Sequence, residues 1–238
     1  MYNSPNEQRI YMSKQLHNAM TQILAMPFFK NEQAKSGTVL HGHEEAVANK
    51  IKNAGFSEVL KTKYPKLTKG LLRKWVRSGN DTDLRAATPG MPAGSYIVQP
   101  AGSQGFPDIL VLDFNNRFVA VECKSGKNGL CPMWNDNLPH ADAIYVLSSG
   151  KVDQTTLFLG KDVITNAEVQ TQIAFWKEQK LLEAKYRAII KPLDVFNRGW
   201  DIKGRPQNFQ GGGGDKTNYF THKSRKQCEK NALDFAKQ

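Results

Sequence analysis

Apolar positions recur at helical spacing towards both ends of the chain and in short strand-like runs through its middle. From about Asn6 to Met26, Ile10, Leu16, Met20, Ile23 and Leu24 fall near one helical face, and Pro27 stops the pattern. After the polar stretch Lys30 to Thr38, the spacing predicts a helix over His43 to Ala54. Its stripe is Ala46, Val47 and Ile51, and Gly55 marks its end. Glu44, three residues before Val47, shares the core-facing side. A third predicted helix, Lys66 to Ser78, turns Leu71, Leu72, Trp75 and Val76 inward and Lys69, Arg73, Lys74 and Arg77 outward, which gives it a basic outer face.

The middle of the chain reads as strands. A Pro- and Gly-rich loop, Thr88 to Gly94, leads to a strand over Tyr96 to Gln99. Two runs follow, Ile109 to Leu112 and Val119 to Lys124, joined by a hairpin turn at Asn115-Asn116. Ala143 to Leu147 and Thr156 to Leu159 extend the sheet. Asn166 to Ile190 is helix-forming, and after Pro192 the chain turns polar and Gly-rich, with Gly211 to Gly214 a flexible loop or hinge. Lys223 to Phe235 reads as a basic helix, and no repeat of solenoid period occurs. The pattern predicts an α/β fold: a mixed four- to five-stranded sheet flanked by helices, with a basic C-terminal extension.

Charge narrows the partners. Lys and Arg number 33 against 22 Asp and Glu, a formal net charge of +11, with a pI near 9.5. Such an excess points to a polyanion, nucleic acid before an anionic membrane surface. The longest apolar run, Ile109 to Leu112, is far short of a span and no stretch resembles a signal peptide, so a cytoplasmic location is expected. Cys123, Cys131 and Cys228 are too few for a disulfide framework and none stand at CxxC spacing; they read as reduced thiols, Cys123 in the core.

The candidate chemistry lies at one end of the hairpin. Asp108 begins one strand, and Glu122 and Lys124 end the next. Alternation puts Val119, Val121 and Cys123 in the core and Ala120, Glu122 and Lys124 on an exposed face. A two-residue loop would set Asp108 against Cys123, pointing away from Glu122, whereas a three-residue loop or a bulge sets it directly against Glu122. The second arrangement is expected, or an Asp108 displaced by Pro107 at the start of the strand. Two carboxylates held this close repel by roughly 1 kcal/mol in water and by more in a dry cleft, so a divalent cation between them is the natural complement.

Pro107-Asp108, thirteen intervening positions and then Glu122-Cys123-Lys124 resembles the PD-(D/E)xK nuclease superfamily. The segment from Glu44 through Val47 and Ile51 to Gly55-Phe56 is similar to the first helix of archaeal Holliday-junction resolvases. The resemblance implies a restriction-endonuclease-like core in which Asp108, Glu122 and the main-chain carbonyl of Cys123 bind Mg²⁺. Mn²⁺ would substitute, and Ca²⁺ would support binding only. Lys124 would orient or deprotonate the attacking water, and Glu44, with Glu45 as a stand-in, would hold a metal-bound water or a second ion. It further implies one endonuclease domain over residues 1–238, with the catalytic core at about 40–165 and a DNA-contacting extension at about 192–238.

The elaboration around that core looks most like a type II restriction endonuclease, a homodimer cutting double-stranded DNA without a small-molecule cofactor. A junction resolvase is the enzymatic alternative, and a basic nucleic-acid-binding protein whose acids merely cap strands is the other.

Further residues suit contact with DNA. Arg73, Lys74, Arg77 and Gln104 lie before the motif, and Arg198, Lys203, Arg205, Gln207 and Asn208 follow Pro192; all are types that hold phosphates or read base edges, or else form a solvated basic loop. His41 and His43 lack a third metal ligand at a familiar spacing and suit the start of a helix or a phosphate contact. The Cys131 to Pro139 segment, polar with Trp134 at its centre, is either a connecting loop or a segment approaching DNA.

Overall fold

In the computed structural model, residues 14–28, 42–103, 105–135, 138–199, 201–204, 207–208 and 217–238 are described. Helices α1 (Gln15–Leu24) and α2 (Gly42–Asn53) precede a short strand, β1 (Ser57–Glu58). Helices α3 (Lys69–Ser78) and α4 (Thr82–Ala87) lead to strands β2 (Ser95–Val98), β3 (Ile109–Leu112) and β4 (Phe118–Gly126). Then come β5 (Trp134–Asn135), β6 (Ile144–Ser149), β7 (Gln154–Leu159), helix α5 (Asn166–Ile190), β8 (Gln207–Asn208) and helix α6 (Arg225–Lys237). Among the described residues the periodic segments therefore fold as helices and strands near where their spacing predicts; the part of the first expected helix from Asn6 to Ser13 and the Lys30 to Thr38 stretch lie outside the described residues. No helix of the described residues is long and apolar enough to cross a membrane.

The sheet has six strands rather than four or five, in the order β1-β2-β3-β4-β6-β7. The sixth is β1, two exposed polar residues with no period to read. It forms because the Ser57 N–H donates to the Gly94 carbonyl at 2.9 Å and the Val59 N–H to the Tyr96 carbonyl at 2.8 Å. β2, β3 and β4 run antiparallel, β4 and β6 parallel, and β6 and β7 antiparallel. β5 and β8 make a separate two-stranded sheet, Trp134 against Asn208 and Asn135 against Gln207.

Both faces of the large sheet are covered. On one, Val119, Val121, Ile144 and Val146 pack with Leu16, Val47, Ile51 and Ala232 from α1, α2 and α6. On the other, Leu110, Ala120, Tyr145 and Phe158 pack with Leu72 and Trp75 of α3 and with Phe220. The expectation that Ala120, Glu122 and Lys124 form an exposed face is thus corrected: Ala120 is 1 % and Glu122 8 % accessible. Only the end of that row, Lys124, reaches a half-open position. Cys123 packs against the opposite apolar cluster, as expected. Glu229 pins α6 to β7, accepting from Thr156 at 3.0 Å and Arg225 at 2.7 Å.

The hairpin between β3 and β4 closes with three loop residues. Ile109 pairs with Val121 and Leu112 with Phe118. The Asp113 N–H donates to the Arg117 carbonyl at 2.9 Å, leaving Phe114 to Asn116 as the loop. Asn116 takes a left-handed φ of 60°, the conformation that ends a three-residue hairpin loop and that asparagine tolerates. The buried Asp113 carboxylate holds the turn, accepting from the N–H groups of Asn115 at 2.9 Å and Arg117 at 2.8 Å and from Arg117 Nε at 3.1 Å. Beneath it Gly94 leaves room for the Phe114 ring, which a Cβ would strike.

Asp113→Ala strips those donors of their acceptor and is expected to cost about 1–3 kcal/mol, read as a lower urea midpoint with an unchanged slope.

Candidate functional site

The register fixed by the turn carries to the far end of the hairpin. One step beyond the Ile109–Val121 pair, Asp108 stands level with Glu122. This is the arrangement expected of a three-residue loop. The Asp108 Oδ2 accepts the Cys123 main-chain N–H at 2.7 Å, so the carboxylate is tied to β4 where the two strands part. Lys124 Nζ lies 2.8 Å from Glu122 Oε1 and 6.0 Å from the centroid of the Trp134 ring.

Glu44 arrives from the first turn of α2, half-buried, while Glu45 beside it is exposed. Gln99 connects it to the hairpin. The Gln99 Nε2 donates to Glu44 Oε2 at 3.1 Å, and the Gln99 main-chain N–H donates to the Asp108 carbonyl at 2.6 Å. Gln99 does this with φ at 46°, a left-handed conformation that costs a non-glycine residue about 1–2 kcal/mol.

Burial and neighbouring acids raise two of the carboxyls here. Asp108 is pushed up to about 8, first by burial, then by Glu122 and then by Glu44. Burial pushes Glu122 up as well, against the pull of Lys124. Glu122 Oε2 is buried and has no hydrogen-bond partner. An orphaned carboxylate oxygen beside a second raised acid is a site short of positive charge, and hard oxygen donors of this kind suit Mg²⁺.

Among the described residues no group of three or more His, Cys, Asp and Glu forms a metal cluster by itself. Mg²⁺ commonly takes one or two carboxylates and keeps several waters, so Asp108 and Glu122, with the Cys123 carbonyl, fit such an ion.

Other expected residues fall elsewhere. Arg73 is half-buried on α3, and Lys74 and Arg77 are exposed there; Lys74 pairs with Asp83 at 2.6 Å. Arg198 and Lys203 are exposed, Arg198 resting over the Phe196 ring at 5.0 Å. Their segment is attached to α5, through Arg187 to Asp201 at 2.8 Å and through the Gly204 N–H to Glu183 at 2.9 Å. Gln207 and Asn208 form β8. Gln104, Arg205, His41 and Gly211 to Gly214 lie outside the described residues.

One open reading is decided and one expectation is corrected. His43 lies in the first turn of α2, as the helix-entry reading has it, and is buried there with its pKa lowered by that burial. Trp134 does not approach DNA from a loop. It is 4 % accessible, edge-on to Tyr145 at 5.2 Å, and held in a strand against β8.

Gln99 and His140 are the residues that sequence reasoning missed as parts of the site. Their roles come from tertiary contact, and Gln99 was marked only as the end of a strand. The His140 ring packs on Phe106 at 4.3 Å, two residues before Asp108. Its Nε2 is buried without a partner, and its pKa is lowered to about 4 by burial, then by Arg77 and Arg73.

Because the folded chain keeps His140 neutral, its contribution is present above about pH 6.5 and is lost as pH falls towards 4. In thermal melts the stability of His140→Phe relative to the wild type should therefore rise across that window. For Asp108 the sign is opposite, since a raised carboxyl loses stability as pH rises through about 8. At pH 9 with metal chelated, Asp108→Asn should melt a few degrees higher than the wild type, at ~2–4 °C per kcal/mol. Added Mg²⁺ should raise the wild type and leave the variant unmoved. Compared with known proteins, the chain matches no protein-family model, no curated protein and no solved structure.

Proposed function

We propose that the chain is a Mg²⁺-dependent DNA endonuclease of the PD-(D/E)xK kind, in the type II restriction class. The observation that carries the reading is Asp108 level with Glu122 and tied to β4, with Lys124 beside them and Glu44 near enough to raise both acids. Asp108, Glu122 and the Cys123 carbonyl would hold the ion. When bound, it supplies a Lewis acid and an activated water at the phosphodiester.

The remaining work falls to the chain's own groups. Lys124, held between Glu122 and the Trp134 ring, is the cation available to orient a water and to offset charge developing on phosphate oxygens. Glu44, steadied by Gln99, would hold a metal-bound water or a second ion on the helix side. The +11 charge draws a polyanion to the protein, and Arg73 and Arg77 of α3 are close enough to His140, which packs on Phe106, to lower its pKa. Nearly half of the chain lies outside the expected core, and sequence recognition gives that surplus a use.

Digestion of a sequenced plasmid with and without Mg²⁺ tests the reading. Discrete fragments in Mg²⁺, none in Ca²⁺, and loss of cleavage with retained binding in Asp108→Ala and Lys124→Ala are expected. Cleavage of branched but not linear duplex would make the chain a resolvase. DNA binding without cleavage, unaltered by either substitution, would make it a binding protein.

A further inference from the structure

His140 is fixed through its backbone and unsatisfied at its ring. Its main-chain N–H donates to the Tyr145 hydroxyl at 2.8 Å, and its carbonyl accepts from the Ala143 N–H at 3.1 Å. A Cβ at position 160 would strike that carbonyl, so Gly160 lets the two segments close on each other. The ring packs on Phe106 at 4.3 Å. Both anchors lead to the candidate site: Phe106 stands two residues before Asp108, and Tyr145 pairs with Glu122 across β6 and β4. The Nε2 atom, by contrast, is buried and has no hydrogen-bond partner among the described residues. A rigidly held ring with an orphaned nitrogen is short of a ligand atom.

Helix α3 supplies the neighbours. Leu72 and Trp75 pack it into the same apolar cluster as Phe106, Ala143 and Tyr145. Arg73 and Arg77, four residues apart, share one face of the helix beside that buried stripe. Arg73 is half-buried and Arg77 exposed. Both are close enough to act on the ring: burial first, then Arg77 and Arg73, lower its pKa to about 4. Nearby cations have acids, Lys74 with Asp83 and Arg85 with Asp81, each at 2.6 Å. Arg77 makes no ion pair with an acid among the described residues.

Two guanidinium groups and a ring N–H donor complement an anion with several acceptor oxygens, and the planar fork of arginine matches phosphate. The candidate metal site is short of positive charge, and this cluster, joined to it through Phe106 and Tyr145, is short of negative charge. A polymer with a phosphate at every nucleotide satisfies both at once.

We infer that Arg73, Arg77 and His140 form a second anion site, which holds a phosphate of the DNA backbone other than the one presented to Asp108 and Glu122, the arginines supplying the charge and His140 Nε2–H a donor from the floor. The inference takes from the proposed function that DNA is the polyanion, and it does not depend on cleavage.

Fluorescence anisotropy of a labelled duplex titrated with the full chain in EDTA, across a range of salt concentrations, tests it. Arg73→Ala and Arg77→Ala should each lower the slope of log K against log salt by about one. Lys52→Ala removes an exposed charge from the last turn of α2, on the other face of the sheet, and should leave the slope unchanged. At neutral pH His140→Phe, which keeps a ring against Phe106, should weaken binding about tenfold, and His140→Gln, which restores a donor, should recover most of that loss. Because Arg77 is exposed, its variant decides the matter if a His140 variant does not fold. Binding is read without metal, so a chain that shows these slopes and never cuts DNA in Mg²⁺ would fail as a nuclease and keep this site. An unchanged slope in Arg77→Ala, an equal drop in Lys52→Ala, wild-type affinity in a folded His140→Phe, or calorimetry in which Arg77→Ala loses inorganic phosphate but not duplex would each overturn the inference.

Discussion

Everything at the candidate site depends on the closure of one hairpin. Strand residues alternate faces, so a loop one residue shorter would turn Asp108 away from Glu122 and leave each carboxylate among apolar side chains. The choice is made fifteen or so ångströms away by Asp113, whose buried carboxylate gathers the turn's donors, and by Asn116, which accepts a left-handed backbone. A stability element at one end of two strands thereby determines an electrostatic element at the other.

The two apolar layers make that determination strict. With α1, α2 and α6 on one face and α3 with Phe220 on the other, every residue of β3 is buried, and a slipped register would expose hydrophobic side chains and bury polar ones. The acids are the exception that the layers hold in place. Glu122 remains in a mostly dry position because Lys124 meets one of its oxygens, and the other is left without a partner. Structural groups rarely leave a buried carboxylate oxygen unsatisfied, which is the support this atom gives to the proposed metal site.

Legibility in the sequence followed the range of the interactions. Helices with a clean apolar stripe, such as α2 with Val47 and Ile51, were readable because burial imprints a period on the chain. The level placement of Asp108 and Glu122 was readable too, since spacing and alternation leave few registers. β1 was not, because Ser57 and Glu58 join the sheet by backbone bonds that any side chain permits. Nor was the burial of Ala120 and Glu122, which depends on helices that arrive from elsewhere in the chain. Trp134 misled for the same reason: a polar, proline-flanked segment hides that its one aromatic fills a gap between Tyr145, Phe158 and a strand more than seventy residues later.

That pairing of β5 with β8 changes what the tail of the chain is. Trp134 forms the floor beneath the Lys124 ammonium, and Asn208 is the backbone partner that holds Trp134 in its strand. The two residues of β8 therefore belong to the surroundings of the site and not to a detached tail. Replacing the segment that carries β8 would also remove the strand partner of the ring under the lysine, so a change made there reaches the local field at Glu122.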